Sequence, residues 1–166
     1  MSTAIFYASS TGNTADAAKS ISEKLGGIEV FDIADYNIKT INEYDKVILG
    51  ISTWGEGELQ DDWEEAMDDF SDIDFSKKTV ALFGLGDQDD YAEYYLDAMG
   101  MIYEQVLVMG GNVIGSFDID DDFYHEESKA IVNDKFVGLA LDEDNQNDLS
   151  DNRITKWCDD IRSEIL

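Results

Sequence analysis

The chain contains no proline, a single cysteine, Cys158, and a single histidine, His125. One cysteine excludes an intramolecular disulfide framework and a cysteine cluster for zinc or an iron–sulfur centre, and a reducing compartment is compatible with it. Cations are scarce as well: 11 Lys and Arg against 38 Asp and Glu leave a formal net charge of −27. Such a surface repels nucleic acid and anionic lipid. The scarcity is uneven, for no Lys or Arg occurs between Lys46 and Lys77 or between Lys78 and Lys129. A partner docking on those stretches is expected to be basic; the plainer alternative is that acidity serves solubility or salt adaptation. No apolar run approaches the length that spans a bilayer, so no membrane association is expected. Met1-Ser2-Thr3 leads straight into Ala4-Ile5-Phe6-Tyr7-Ala8 without a basic segment or cleavage site, and a cytoplasmic location is the expectation.

What is present is enough for one core. At 166 residues with 43% hydrophobic content, falling in bounded runs, the chain reads as one packed domain covering residues 1–166. Thr3 to Ala8 is an apolar run, and helical spacing follows in Ala18, Ile21 and Leu25 before Gly26-Gly27 stops it. Strands are expected at Ile28–Ile33, Lys46–Ile51, Thr79–Gly84, Asn112–Phe117 and Phe136–Leu141, with runs around Val47 and Val80 that read as buried on both faces. Helical stripes run through Leu59, Trp63, Met67 and Phe70, then through Leu96, Met99, Tyr103, Val106 and Leu107. Ile154, Trp157, Ile161 and Ile165 mark a last helix, with Ser150 or Asp151 as the expected cap. Strands alternating with helices imply an α/β fold with a parallel sheet, whose ligands bind outside the carboxyl ends of the strands.

Three strand-end loops carry the chemistry. Ser9-Ser10-Thr11-Gly12-Asn13-Thr14 offers hydroxyl and backbone N–H donors at a helix start, a pattern suited to a phosphate, although an ordinary capped helix start reads the same way. It lacks the lysine and the spacing of a nucleoside triphosphate loop. Ser52-Thr53-Trp54-Gly55-Glu56-Gly57-Glu58-Leu59 puts a tryptophan beside two glycines, and Gly84-Leu85-Gly86-Asp87-Gln88-Asp89-Asp90-Tyr91 repeats the arrangement with a tyrosine. Exposed aromatics on loops are costly unless something covers them, so the pair suggests a clamp for a flat ring system.

Ser9 to Thr14, Thr53-Trp54 with Gly57-Glu58-Leu59-Gln60, Gly86-Asp87-Gln88 with Tyr91, and Leu139-Ala140-Leu141-Asp142-Glu143-Asp144-Asn145-Gln146 resemble, in this order, the long-chain type of the flavodoxin family. The resemblance implies a flavodoxin-like doubly wound five-stranded parallel sheet of order 2-1-3-4-5 with helices on both faces. It also implies one non-covalent FMN and a low-potential one-electron carrier, not an enzyme, that shuttles electrons between a reductase and acceptor enzymes as a monomer. By the resemblance, Ser9, Ser10, Thr11, Gly12, Asn13 and Thr14 form the phosphate loop. Thr53, Trp54, Gly55 and Gly57 form a ring loop, Trp54 and Tyr91 stack on the isoalloxazine, and Asp87 with the neighbouring backbone at Gly86 meets the ring edge. Asp144 lies nearby and Asp97 beside the ribityl chain. The acidic segment at about 118–134 resembles the insertion of long-chain members. Gly55-Glu56 and Tyr94 depart from the common pattern of the family, as does Asp120-Asp121-Asp122-Phe123-Tyr124-His125 within the insertion. Gly55 is placed to turn its carbonyl toward the ring nitrogen that gains a proton on one-electron reduction, since glycine tolerates positive φ.

Rival readings fare less well. A flavodoxin-fold reductase would want a base or nucleophile, yet His125 lies in the acidic insertion, where a surface position is expected, and Cys158 sits on the apolar side of the last helix. A receiver domain would need acidic residues where Ser9-Ser10 stands and an aspartate where Ser52-Thr53 stands. A calcium loop around Asp118 or Asp142 fails at its glycine position, Phe123 or Asn147, and at its closing glutamate, Lys129 or Arg153. Trp63 and Trp157 read as core, and Met67, Met99, Met101 and Met109 as packing.

Overall fold

A computed structural model describes residues 2–166. Its central sheet contains β1 (Thr3–Tyr7), β2 (Glu29–Asp32), β3 (Lys46–Trp54), β4 (Thr79–Leu85), β5 (Asn112–Ile114) and β6 (Leu139–Leu141). The strands run parallel in the order β2-β1-β3-β4, and β5 and β6 share the place beyond β4. The expected order is therefore present. The middle strands are continuous runs of apolar residues because both their faces are covered: Val47, Ile48, Leu49 and Val80 to Phe83 are fully buried.

The helices are α1 (Asn13–Lys24), α2 (Asp61–Phe70), α3 (Asp97–Val108), a single turn α4 (Glu143–Gln146) and α5 (Ser150–Ile165). In α1 the i, i+3 and i+4 spacing of Thr14, Ala17, Ala18 and Ile21 buries one face. The helix ends where Gly26 and Gly27 adopt φ of +92° and +87°, and the Gly27 N–H closes back on the Ser22 carbonyl at 2.8 Å. At the head of α2, the Gln60 side chain accepts from the N–H groups of Asp62 and Trp63, and the acidic first turn suits the helix dipole. The indole of Trp63 is buried and donates to the Gly50 carbonyl at 2.9 Å. Among the described residues, no helix is long and apolar enough to cross a membrane.

Several sequence expectations are corrected. Leu59 belongs to a short strand, Glu58–Leu59, that folds back on β3, so α2 starts later than its apolar stripe suggested. Leu107 is exposed, and the buried face of α3 runs through Ala98, Met99, Ile102 and Val106. Neither Ser150 nor Asp151 caps α5: the preceding turn already has helical geometry at Leu149, and the Ser150 hydroxyl bonds the Glu143 carboxylate instead.

The strands expected at Asn112–Phe117 and Phe136–Leu141 each break, and for related reasons. Ile114 pairs with Ala81 and Leu139 with Phe83, so between them the chain leaves the sheet and returns. Departure occurs at Gly115, whose φ of +81° turns the backbone away; return occurs at Gly138, packed so closely on β4 that a Cβ there would stand 2.1 Å from the Leu82 carbonyl oxygen. Residues 115–138 form a small antiparallel sheet in which Lys135–Phe136 lies between Phe117–Asp118 and Ile131–Val132. Its hairpin turns at Asn133 and Asp134, with φ of +54° and +64°, a conformation that Asn and Asp tolerate best among residues with a Cβ.

This segment is not merely a solvated acidic loop. Phe123, Phe136 and Tyr95 form an aromatic cluster, and His125, expected at the surface, stacks on Tyr95 with centroids 5.2 Å apart. Burial lowers the His125 pKa below its ordinary value. Arg153 sits over Phe123 at 4.1 Å and pins the cluster to α5.

Gly138→Ala is expected to lower stability by about 3 kcal/mol, because backbone on both sides of the contact must shift. Urea unfolding measures it; an unchanged midpoint would show that the return to β4 is not so tightly packed.

Candidate functional site

The loops after β1, β3 and β4 and the turn after β6 meet at the carboxyl edge of the sheet. Between them lies an open cleft of about 220 Å³ lined by Thr11, Asn13, Thr14, Ser52, Thr53, Trp54, Gly55, Leu85, Gly86, Asp87, Tyr91, Glu143 and Asp144. Its charged lining residues are three carboxylates, with no Lys or Arg. The volume falls below that of pockets that envelop a drug-sized ligand, so a larger flat ligand held here would keep an edge in solvent.

The first loop is built as a turn into a helix. Ser9 Oγ accepts from the Gly12 N–H at 3.0 Å, and Ser10 Oγ accepts from Gln60 Nε2 at 3.0 Å, tying the loop to the head of α2. Gly12 has φ +95°, which carries the chain into α1 and leaves the helix without a side-chain cap. The first N–H groups of α1 have no acceptor within the helix. Thr11, Asn13 and Thr14 line the cleft beside them, whereas Ser9 and Ser10 hold the turn's shape from outside that lining.

The second loop begins as β3 ends. Trp54 is 41% exposed and its Nε1 donates to Ser52 Oγ at 3.0 Å, which fixes the ring direction. The chain then reverses through Gly55 (φ +49°) and Gly57 (φ +89°), so that Glu58 pairs with Trp54. Thr53 Oγ1 accepts from the Ala98 N–H at 3.1 Å and thereby satisfies the start of α3. Asp97 lies beneath this loop and outside the cleft lining. It is 2% exposed, its Oδ1 accepts from the Lys129 N–H at 2.7 Å, and it packs on Gly57, where a Cβ would come within 2.9 Å of Oδ2. Asp97 thus supports the turn from below, and Gly57 belongs to the same layer.

The third loop is stapled by its own carboxylate. Asp87 Oδ1 accepts from the N–H groups of Asp89 and Asp90, both at 3.0 Å, and from Asn145 Nδ2 at 2.8 Å. Burial pushes the Asp87 pKa up, but these N–H donors outweigh it and the net shift is downward. Gly86 is required by space, since a Cβ would press on the Tyr95 ring at 2.9 Å. Tyr91, 44% exposed, stands at the rim. Asp87 thus reaches the cleft while one of its oxygens is committed to the loop.

Across the cleft, the Asp144 pKa is raised, first by burial and then by the negative charges of Asp87, Asp142 and Asp90. Sequence reasoning did not single out Ser52, Leu85 or Glu143, which also line the cleft. Their only signal was adjacency to the strand ends. What the arrangement offers is a set of neutral N–H and O–H donors at one end, two half-exposed aromatics along the sides and carboxylates around the rim.

Asp144→Asn should therefore stabilise the protein at neutral pH. A carboxyl group with a raised folded-state pKa costs stability once it ionises in the fold. The gain from the amide should appear as pH rises above the ordinary carboxyl value of 3.8, vanish at lower pH, and shrink at high salt. Thermal melts of both proteins between pH 3 and 7 measure it; equal or lower stability of the variant at pH 7 would contradict the charge crowding.

Comparison with known proteins agrees with this architecture. Residues 5–157 match the family model described as flavodoxin. The chain is 44% identical to a flavodoxin of a Picosynechococcus species, over 95% of this chain and 94% of that one. It is 43% identical to flavodoxin 1 of Escherichia coli, over 98% and 94%. A crystal structure of Fusobacterium nucleatum flavodoxin bound to flavin mononucleotide superposes with a TM-score of 0.93 at 33% identity, covering 99% of each chain. By family model, full-length similarity and shared fold, the chain belongs to the flavodoxin family.

Proposed function

We propose that the cleft holds one FMN, with its phosphate at the start of α1 and its ring between Trp54 and Tyr91, and that the chain is a low-potential electron carrier. The protein is an FMN-dependent electron-transfer protein and not an enzyme, in keeping with its family. One observation carries the assignment of residues: uncapped helix N–H groups and threonine hydroxyls share a single cleft with two half-exposed aromatic rings. The donor set fits the cofactor. Neutral donors and a helix N-terminus suit a phosphate, and the rings suit a flat heterocycle whose edge stays accessible for electron exchange.

When bound, FMN supplies one-electron redox chemistry at its ring. The chain's part is to orient and tune. Ser52 holds the Trp54 indole in place, and Gly55 would offer a carbonyl able to turn toward a bound ring and accept a hydrogen bond from an N–H there. Asp87, Glu143 and Asp144 in the lining, with Glu56, Glu58, Asp89 and Asp90 on the same loops, oppose further negative charge. A charge pair about 10 Å apart at an effective dielectric of about 20 to 40 costs roughly 1–2 kcal/mol, so several such pairs favour a strongly reducing carrier. The net charge of −27 supports basic-surfaced partners, a reductase as donor and reductive enzymes as acceptors, steered by long-range attraction.

We also propose a single domain working as a monomer in the cytoplasm, with residues 115–138 as its insertion. The one cysteine supports a reducing compartment: Cys158 is buried, and burial pushes its thiol up to about 11, where it is inert.

Thr11→Ala and Thr14→Ala should each weaken FMN binding by about tenfold or more, the value of a hydrogen bond to a charged group, while leaving riboflavin binding unchanged. Fluorescence titration of the apoprotein with both flavins reads this directly. Equal losses for the two flavins would remove the phosphate from this turn, and an apoprotein that ignores FMN would sink the reading.

A further inference from the structure

Residues 115–138 are absorbed by nothing in the proposed chemistry, yet they are bonded to the loop that carries Tyr91. The connection runs through Gln88, which is 1% exposed. Its backbone N–H and Nε2 donate to Asp142 Oδ2 at 3.0 and 3.2 Å, and Nε2 also donates to Gln146 Oε1 at 2.8 Å. Its Oε1 accepts from the N–H groups of Tyr124 and His125 at 2.8 and 3.2 Å. Both amide hydrogens and both oxygen lone pairs are used. Since a backbone N–H can only donate, the orientation of the amide is determined by its partners.

Neighbouring bonds run between the same segments. Gln146 Nε2 donates to the Asp122 carbonyl, and the N–H groups of Glu126 and Glu127 both reach the Ala92 carbonyl at 2.9 and 3.0 Å. Asp97, under the Trp54 turn, takes the Lys129 N–H. Residues 122–129 therefore rest on residues 88–97, and Gln88 is where that stretch, the turn after β6 and the insertion meet.

We propose that Gln88 is a positioning residue: through its two acceptor bonds, the insertion braces the Tyr91 loop, and through its donor bonds that loop is held to Asp142 and the far rim of the cleft. The inference rests on the FMN reading of the cleft. A residue acting this way governs how well the ring is clamped and leaves the phosphate end untouched. It also makes the insertion respond to a ligand that it does not contact, because Tyr124 and His125 lie outside the cleft lining. Losing bonds to a buried, fully satisfied amide loosens both connections together.

The test is hydrogen exchange by mass spectrometry on full-length apoprotein, with and without riboflavin, together with riboflavin and FMN affinities. In the wild type, riboflavin should slow exchange in peptides spanning residues 122–129. In Gln88→Leu that protection should disappear, and both affinities should fall by the same factor, roughly tenfold, so that their ratio stays at the wild-type value. Gln88→Glu serves as a second variant should the leucine fail to fold. It keeps the acceptor for Tyr124 and His125 but sets a carboxylate against Asp142 and Gln146 Oε1. Its affinity, relative to wild type, should be low at pH 7.5 and recover toward pH 5 as the new carboxyl regains a proton to donate. A folded Gln88→Leu protein with wild-type riboflavin affinity, or riboflavin protection of the insertion that persists without Gln88, overturns the proposal while leaving the FMN reading intact. Absence of flavin binding by the wild type overturns both.

Discussion

The cleft has to work without a cation. Its charged lining groups are Asp87, Glu143 and Asp144, on a chain whose net charge is −27, so in the proposed reading an anionic cofactor is held by N–H and O–H dipoles alone. The start of α1 is therefore left uncapped by side chains, and Gly12 takes a left-handed conformation to aim the helix at the cleft. The same device recurs at the protein's own carboxylates. Asp87 is satisfied by Asp89, Asp90 and Asn145, and the buried Asp142 by Gln88 and Asn145, with amides supplying the N–H donors in every case. Well-oriented dipoles stabilise charge without adding any, and they lose little to reorganisation.

The frame around the cleft follows from that requirement. Helix start, tryptophan turn and tyrosine loop converge because β1, β3 and β4 are parallel neighbours whose carboxyl ends share one edge. Glycines appear where packing leaves no room for a Cβ: Gly86 against Tyr95, Gly57 against Asp97 and Gly138 against Leu82. Each lets a loop lie close to the sheet or to its support, so the exposed aromatics stand on a rigid base.

Much of this was legible in the sequence, and the pattern of what was not is informative. Apolar runs marked the strands because parallel strands are covered on both faces, and the loops stood out by unusual composition at strand ends. The breaks in the two expected strands were hidden, since Gly115 and Gly138 look like ordinary turn residues until the positive φ of the first and the close approach of the second to Leu82 are seen. The supporting role of Asp97 and the packing of His125 were hidden for a common reason. The partner of a buried or half-buried polar side chain, whether the Lys129 N–H for Asp97 or the Tyr95 ring for His125, comes from a segment distant in sequence. Local pattern carries no record of that choice. The family resemblance pointed to Asp87, which lines the cleft, but gave no hint that its carboxylate also staples the loop.

The central claim is that neutral donors, and no lysine or arginine, hold the phosphate. The most direct measurement is the affinity of the apoprotein for FMN and for riboflavin between about 10 and 500 mM NaCl, where the screening length shortens several-fold. Dipole binding inside an anionic protein predicts that FMN affinity holds or rises with salt, as repulsion is screened, while riboflavin affinity stays flat. A steady fall in FMN affinity with salt would reveal a cationic clamp and contradict the account.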